Sequence, residues 1–590
     1  MKKSKILSSI GVVTAAALTL VACGKSNNGG SNQNVNSVDK FSASVPSKAA
    51  RQGGTLKVAV RTDTPFTGIF SDELSTTSVD SEVSQPGEEE LFDTDDNFKI
   101  NDKGPATLKL NVKVKTATIT VKKGVKWSDG KQVTAKDMEY SYEILANKKT
   151  AAQRYSSQLE NIEGMKEYHD GQAKTISGIE MPDGENGRQI IIHFKQMKPG
   201  MTNSGNGYFW EYVAPYHYLK DVPFDKLQSS DKIRKHPLYF GPFKLAKLVR
   251  GESVTWVPNK YYWRGTPKLN KIVISVISSN STSQSIKDHK FDVIQAINTQ
   301  WDQVKDTKNV NFVAQIPLQY NYIGFRVGKW DAKKGKNVMN PKAKMNNKAL
   351  RQAIGYAMNV DAVDKRYTEG LSFRVPTLIP AQFGDYFDKN AKGYSYNLKR
   401  ANAILDKAGY KKKGKWRVQP NGKPLVINYM ARQGDSTQEP IEQNYIQQWH
   451  KIGLNVKLLG GRLTEFNSFE DKLQHDDPSV DMFEAGWSLA SEPSPNIMYS
   501  ETTPMNYSRF VTPENNKLMD EIDSTKSFNH KYRVQKFHEW QEYMNDQAFI
   551  IPEDNKYQVY AVNDRITGYS LKPSQNTNGH QLWWQVGFIK

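Results

Sequence analysis

Ile119-Thr120-Val121-Lys122-Lys123-Gly124-Val125-Lys126-Trp127-Ser128-Asp129-Gly130 runs on to Thr134-Ala135-Lys136-Asp137-Met138-Glu139-Tyr140-Ser141. Thr116–Val121 alternates as a strand does. Trp127-Ser128-Asp129-Gly130 has the composition of a hairpin turn. Thr134 with Asp137 three residues on resembles a capping box, and Met138, Tyr142 and Leu145 fall on one face of the helix it opens. Strand, turn and capped helix thus follow within 30 residues.

Working outward, the same alternation of types persists. Thr55–Val60, Leu108–Val114, Gln189–Phe194, Ser253–Val257, Lys271–Val276, Leu425–Met430 and Leu454–Leu459 read as strands. Leu350, Ile354 and Met358 mark a helix, and Asn397 caps another that Gly409 stops. A helix through Ile441, Tyr445, Trp449 and Ile452 ends at Gly453 and feeds straight into Leu454–Leu459. The fold class is α/β with mixed sheets, and no repeat is evident.

Further blocks follow in order. Gly241-Pro242-Phe243-Lys244-Leu245 precedes Gly251-Glu252-Ser253-Val254, Asn259, Tyr262-Trp263 and Pro267-Lys268-Leu269. Ala349-Leu350-Arg351-Gln352-Ala353-Ile354 and Ala485-Gly486-Trp487 come later. Together with the opening stretch, these resemble the large extracellular substrate-binding proteins of peptide ABC importers, the oligopeptide-binding group of the peptide/nickel type. The resemblance runs from about Gly54 to the C-terminus. Residue by residue the blocks are mostly scaffold: Gly241-Pro242 fixes a turn, and Arg351 on its helix is expected in a structural ion pair rather than at a ligand.

The resemblance implies a two-lobed solute-binding fold with hinge-connected lobes and an extra subdomain in lobe I. Lobe I is placed at 55–90, 236–315 and 550–590, its subdomain at 91–235, and lobe II at 316–549, with Leu318–Phe325 a crossing strand. It also implies oligopeptides as ligand, held in a cleft that closes by hinge motion, with the ABC permease and its ATPase subunits as partners.

The chain begins with Lys2, Lys3 and Lys5, an apolar run to Leu20, and Leu20-Val21-Ala22-Cys23-Gly24. That is a secretory signal, residues 1–22, too short to span a membrane. Its end resembles a bacterial lipobox, with lipid carried by Cys23, the chain's single cysteine. The expected location is the extracellular face of the cell membrane. Residues 23–54, rich in Gly, Ser, Asn and Gln, read as a stalk spanning on the order of 30 Å. A single cysteine allows no intrachain disulfide, so a packed core must hold the fold.

Removing 1–22 from 590 residues leaves 568, more than one ordinary core can organise. The content of 37% hydrophobic and 11% aromatic residues is that of a globular chain rather than a disordered one. The net charge of +19 falls to +16 without the three leader lysines. An exported protein meets no nucleic acid, which leaves a lysine-rich soluble surface or attraction to anionic envelope polymer. Lys411-Lys412-Lys413 with Lys415 reads as a solvated turn.

No HExxH, short Cys/His cluster, GxSxG or Walker A loop occurs, so no catalytic residues, metal or cofactor are assigned. Asp93-Thr94-Asp95-Asp96-Asn97 starts like a calcium loop, but Phe98 and Gly104 stand where an EF-hand needs Gly and Glu.

Candidate ligand contacts come from three places. Thr64 and Phe66 lie in the loop after the first strand, where clefts tend to open. Asn321 and Tyr322 lie near the hinge. Gly486, Trp487, Ser488, Leu489 and Glu492 form the third segment. In some members of the resembled family, an aspartate shortly after the tryptophan pairs with the peptide α-ammonium. Here Leu489, Ala490 and Ser491 occupy that neighbourhood and Glu492 is the first acid. Either Glu492 substitutes, or the N-terminus is not anchored by charge. The expectation is a monomeric, non-enzymatic peptide receptor. Alternatives are the same fold binding a signalling peptide, metal chelate or glycan fragment, or a basic surface adhesin.

Overall fold

The computed structural model describes residues 41–62, 65–75, 77–434, 436–577 and 580–590. Cys23, the leader and Thr64 lie outside the described residues.

The stalk expected to residue 54 is shorter than read: within 41–54, Val45 is 5% exposed in the core with its amide on Tyr569 O, and Ala50–Arg51 pairs with Phe588–Ile589, because these residues find partners at the far end of the chain. The first long strand, β1 (Thr55–Arg61), puts Leu56, Val58 and Val60 on one face and Ala59 on the other. Both faces are covered, by two separate apolar layers. The chain then leaves for a smaller antiparallel sheet of β2 (Ala106–Asn111), β3 (Thr116–Val121), β4 (Ile179–Glu180) and β5 (Gln189–His193), in the order β2-β3-β5-β4. Helix α1 (Ala135–Ala146) packs on it around Trp127, Met138 and Tyr142.

Asp137 explains why the opening stretch folds as read. Its Oδ2 accepts from Thr134 N at 2.9 Å, closing the capping box, and from Trp127 Nε1 at 3.0 Å. Its Oδ1 accepts from Tyr216 N at 2.8 Å. One buried carboxylate thus satisfies helix end, turn and a later segment together. Gly130 (φ +93°) closes the turn, and a Cβ there would stand 2.8 Å from the Tyr261 ring.

β2 ends at Asn111, earlier than the expected Val114. Val112 and Val114 are exposed, and Lys115 (φ +56°) makes the turn into β3. Their apolar side chains imitate strand periodicity in a segment whose backbone is turning.

The chain returns through β6 (Phe243–Val249), β7 (Ser253–Pro258), β8 (Lys271–Ile277), β9 (Val293–Gln295) and β10 (Val310–Gln315). It crosses at Ile316–Leu318 into β11 (Gln319–Phe325). Then come α2 (Lys348–Tyr356), α3 (Val360–Thr368), α4 (Leu398–Lys407), β12 (Val426–Met430), α5 (Gln438–Lys451), β13 (Asn455–Leu458), β14 (Met482–Ser488), α6 (His530–Gln547) and β15 (Ile550–Pro552). β16 (Gln558–Asn563) brings the chain back to the first sheet.

Two mixed sheets result, each with its own core: β10-β16-β9-β1-β8-β7-β6 and β13-β12-β14-β11-β15. The fold is a two-lobed α/β architecture. Lys412–Lys413 sits exposed on a small hairpin with Trp416–Arg417.

Arg351 is structural, but not through the expected ion pair. It is 2% exposed, and its guanidinium donates to the carbonyls of Ala548 (3.0 Å), Met345 (2.8 Å) and Gln547 (2.7 Å). Two of these close the C-terminal end of α6, where carbonyls lack helical partners and carry partial negative charge.

Candidate functional site

The two sheets are joined where Ile316–Leu318 and Asp554–Tyr557 run side by side. Gln315 Nε2 donates to Gln558 Oε1 at 2.7 Å, and Asn555 Nδ2 to Pro317 O at 3.2 Å. Beside this junction lies an open cavity of about 350 Å³. Arg61, Gln295 and Asn298 reach it from the C-terminal ends of the parallel strands β1 and β9, the usual place for a cleft in such a sheet. Gln319, Asn321 and Glu484 reach it from the second sheet, with α3 and α5 closing the side.

Strand alternation decides which side chains arrive there. On β11, Gln319 and Asn321 face the cavity, while Tyr320 and Tyr322 are 1% exposed in the second core. On β14, Glu484, Gly486 and Ser488 share a face, and Phe483, Ala485 and Trp487 share the other. Gly486 pairs with Asn321. A Cβ at 486 would stand 2.6 Å from Asn321 Oδ1, so the missing side chain is what lets Asn321 lie across the strand.

β14 has an unequal pair of edges. One edge pairs with β11 along its whole length, Met482 to Ser488. The other pairs with β12 only at Met482 and Phe483. Beyond that point, Ala485–Ser488 has no neighbouring strand on that side among the described residues. This is an open backbone edge at a cleft, of the kind an extended chain can join.

The expected contact residues divide. Asn321, Gly486 and Ser488 come together on the cavity side of the second sheet. Tyr322 faces away into the core. Trp487 stacks on Tyr507 with ring centroids 5.5 Å apart, and Leu489 packs half-buried against the same core. Phe66 is 3% exposed in the first sheet's core. Thr64 is not among the described residues.

Glu492 is elsewhere altogether. It is buried in an ion pair with Arg533, and its Oε2 accepts from Ser494 N at 3.0 Å. The turn Pro199–Thr202 of the smaller sheet's unit covers it. A Cβ on Gly200 would collide with Glu492 Cγ. Nearby, Asn203 Nδ2 donates to Ser491 O at 3.2 Å, Phe98 packs on Phe383, and Phe528 packs on the smaller unit's core.

The cavity's charge comes from residues that carry no motif: Asp364, Glu442, Glu484, Glu553 and Asp554. Burial pushes Asp364 up to about 9, helped by the charges of Asp554 and Asp361. Burial, then the Glu484 charge, raises Glu442 to about 8. Burial likewise raises Glu553, Glu484 and Asp554. The one sequence signal was Glu553-Asp554, two consecutive acids directly after the apolar return Ile550-Ile551-Pro552. Two acids there have no reason to be buried unless they line something.

No helix among the described residues is long and apolar enough to cross a membrane. The oligopeptide-binding protein OppA of Lactococcus lactis subsp. lactis is 42% identical over 596 residues, covering 100% of this chain and 98% of that protein. The solved structure of lactococcal OppA complexed with an endogenous peptide in the closed conformation superposes with a TM-score of 0.78 at 42% identity, over 91% of this chain and 100% of that one. The oligopeptide-binding protein AppA from Bacillus subtilis, solved with a nonapeptide, shares the fold at a TM-score of 0.68 and 21% identity, over 92% of this chain and 100% of that one. Residues 106–508 match the family described as bacterial extracellular solute-binding proteins, family 5 Middle. A two-lobed α/β fold, a cavity where its sheets meet and a match over most of the chain carry one conclusion: this chain belongs to the bacterial extracellular solute-binding proteins of family 5.

Proposed function

We propose that this protein is a lipid-anchored extracellular receptor that captures oligopeptides between its lobes and hands them to an ABC permease with its ATPase subunits for import. The observation that carries the reading is the open edge of Ala485–Ser488 beside the cavity. An extended peptide presents an unpaired amide and carbonyl at every residue, and a strand edge meets these without reading side chains. The full-length likeness to the oligopeptide-binding protein OppA of Lactococcus supports the same ligand class.

The lobes hinge at Ile316–Leu318 and Asp554–Tyr557. Residues 55–90, 236–315 and 550–590 form lobe I, 91–235 its subdomain and 316–549 lobe II. Peptide favours the closed form only through higher affinity for it than for the open one. Asn321, Gly486 and Ser488 are the contacts proposed from lobe II, and Thr64 from the loop after β1. The protein binds and releases without catalysis. Cys23 bears the lipid that keeps the monomer near its permease, with the segment between Cys23 and residue 41 as stalk.

Titration calorimetry of purified, ligand-stripped protein against a mixed peptide library is the test, with mass spectrometry of ligand carried through purification. Saturable peptide binding is expected. A folded protein that binds no peptide of any length refutes the reading.

A further inference from the structure

The cavity at the lobe junction is too acidic for a site that meets only peptide backbone. Asp364, Glu442, Glu484, Glu553 and Asp554 converge on it from four separate segments. Among the described residues, no Lys or Arg nitrogen lies within 4.0 Å of any of them, although the molecule makes such pairs at many other places. Arg61, Arg432 and Lys556 also line the cavity, but they are fewer than the acids and stand off from them.

Two of the carboxylates are without a hydrogen-bond donor. Asp364 is 6% exposed, and its Oδ2 is buried without a hydrogen-bond donor. Glu553 is 7% exposed and its carboxylate accepts no hydrogen bond; the largest charges that act on it are those of the other four acids. A buried carboxylate with no hydrogen bond, among more carboxylates than cations, is a standing cost to the fold. Its neighbours are formed otherwise: Glu442 takes Tyr429 Oη and Gln438 Nε2, and Asp554 takes Asn321 Nδ2 at 2.7 Å.

Tyr367, Tyr445 and Ile441 add aromatic and aliphatic wall. Aromatic faces and aliphatic stems suit the methylene chain and head of a lysine or arginine. A bare metal ion is a poor match, since no three acidic or histidine side chains among the described residues are grouped closely enough to ligate one.

We propose that this cavity is a subsite for an organic cation of the bound peptide, an alkylammonium or guanidinium group, with Asp364 and Glu553 as its principal acceptors. The inference rests on the peptide-receptor reading and adds the chemistry of one position in the ligand. Peptide backbone docks on the strand edge, and one cationic group enters the cavity beside it.

The test is calorimetry of the ligand-stripped protein against matched peptides. One series carries Arg, Lys, Gln or Glu at each position in turn, and every member is made with a free and an acetylated N-terminus. At one position, Arg and Lys are expected to bind at least about tenfold tighter than Gln, with Glu weaker still. If the cation is the α-ammonium instead, acetylation causes that loss whatever the side chain. Either result supports the subsite and identifies its source. In Asp364→Asn and Glu553→Gln the ratio between cationic and neutral peptide should fall toward one. Peptides that bind equally well with and without any cation overturn the subsite while leaving the receptor reading standing. Failure of every peptide to bind a folded protein overturns both. The peptide series on the unsubstituted protein decides the matter even if a variant does not fold.

Discussion

Arg533 donates Nη2 to Glu492 Oε1 in an ion pair in which neither side chain is more than 3% exposed, and Gly200 of the opposite unit lies over it. Asp523 Oδ1 stands 3.5 Å from the same guanidinium. Glu492 is therefore committed to the fold. Removing the Glu492 charge leaves Arg533 with Asp523 as its remaining partner and weakens one buried charge-assisted hydrogen bond, at a cost of about 1.5–3 kcal/mol. Glu492→Gln should lower stability by that order in denaturant melts. It should leave the affinity ratio between free and N-acetylated peptides unmoved; a changed ratio would show that this residue reaches the ligand.

Gly200 tests closure. Its place over Glu492 exists only while the two units touch, and a Cβ there collides with Glu492 Cγ. Overpacking costs about 1–3 kcal/mol, and under the proposed hinge motion it falls on the closed arrangement. Gly200→Ala should weaken peptide binding about tenfold by lowering the closed population. Small-angle scattering of the peptide-loaded variant should show a more open particle, and an unchanged profile with unchanged affinity would refute the contact's role.

The acidic cavity makes a pH prediction. It is surrounded by Arg61 from β1, Asp364 from α3, Arg432 after β12, Glu442 and Tyr445 from α5, Glu484 from β14, and Glu553, Asp554 and Lys556 on the returning segment. Asp364 is raised from 3.8 to about 9 and Glu442 from 4.5 to about 8. Carboxylates with raised folded pKa values favour the fold when protonated. That contribution is complete below about pH 4 and is lost as pH rises through 8 to 9. Ligand-free protein should therefore lose thermal stability from pH 5 to pH 9 through this cluster. Asp364→Asn and Glu553→Gln should flatten that loss, raising the melting temperature at pH 8.

Arg351 gives a purely structural comparison. Its three carbonyl bonds hold the end of α6 against the start of α2. Arg351→Met leaves these carbonyls buried and unpaired, at about 3 kcal/mol or more. Urea unfolding should show this loss, while peptide affinity measured on the folded fraction stays within about twofold because no ligand contact has gone.

Cys23→Ser should release the protein into the medium with peptide affinity intact and uptake by cells impaired. Fractionation and peptide uptake assays check both halves. A loss of affinity in the purified variant would contradict a purely anchoring role.

Much of this molecule was legible from local pattern. The Trp127 turn and the Thr134–Asp137 cap are set by residues within ten positions of one another, so spacing alone reveals them. Val112–Val114 misled for the same reason, since periodicity describes side chains and the backbone had already turned. Asn321 and Gly486 could be nominated individually. Their pairing, and the reason 486 must be glycine, depended on a register between residues 165 positions apart.

What the sequence by itself determined is the alternation of strands and helices, the family blocks and the absence of reaction motifs. Each is carried by neighbours along the chain. What only the tertiary structure decided is where the acids went. Glu492, next to the expected contact segment, is consumed by Arg533, which comes from a helix about 40 residues later. Asp364, Glu442, Glu484, Glu553 and Asp554 look ordinary in sequence, and become one site because two sheets and two helices meet there. Charge acts through distance in space and through the loss of water, and neither is encoded in separation along the chain.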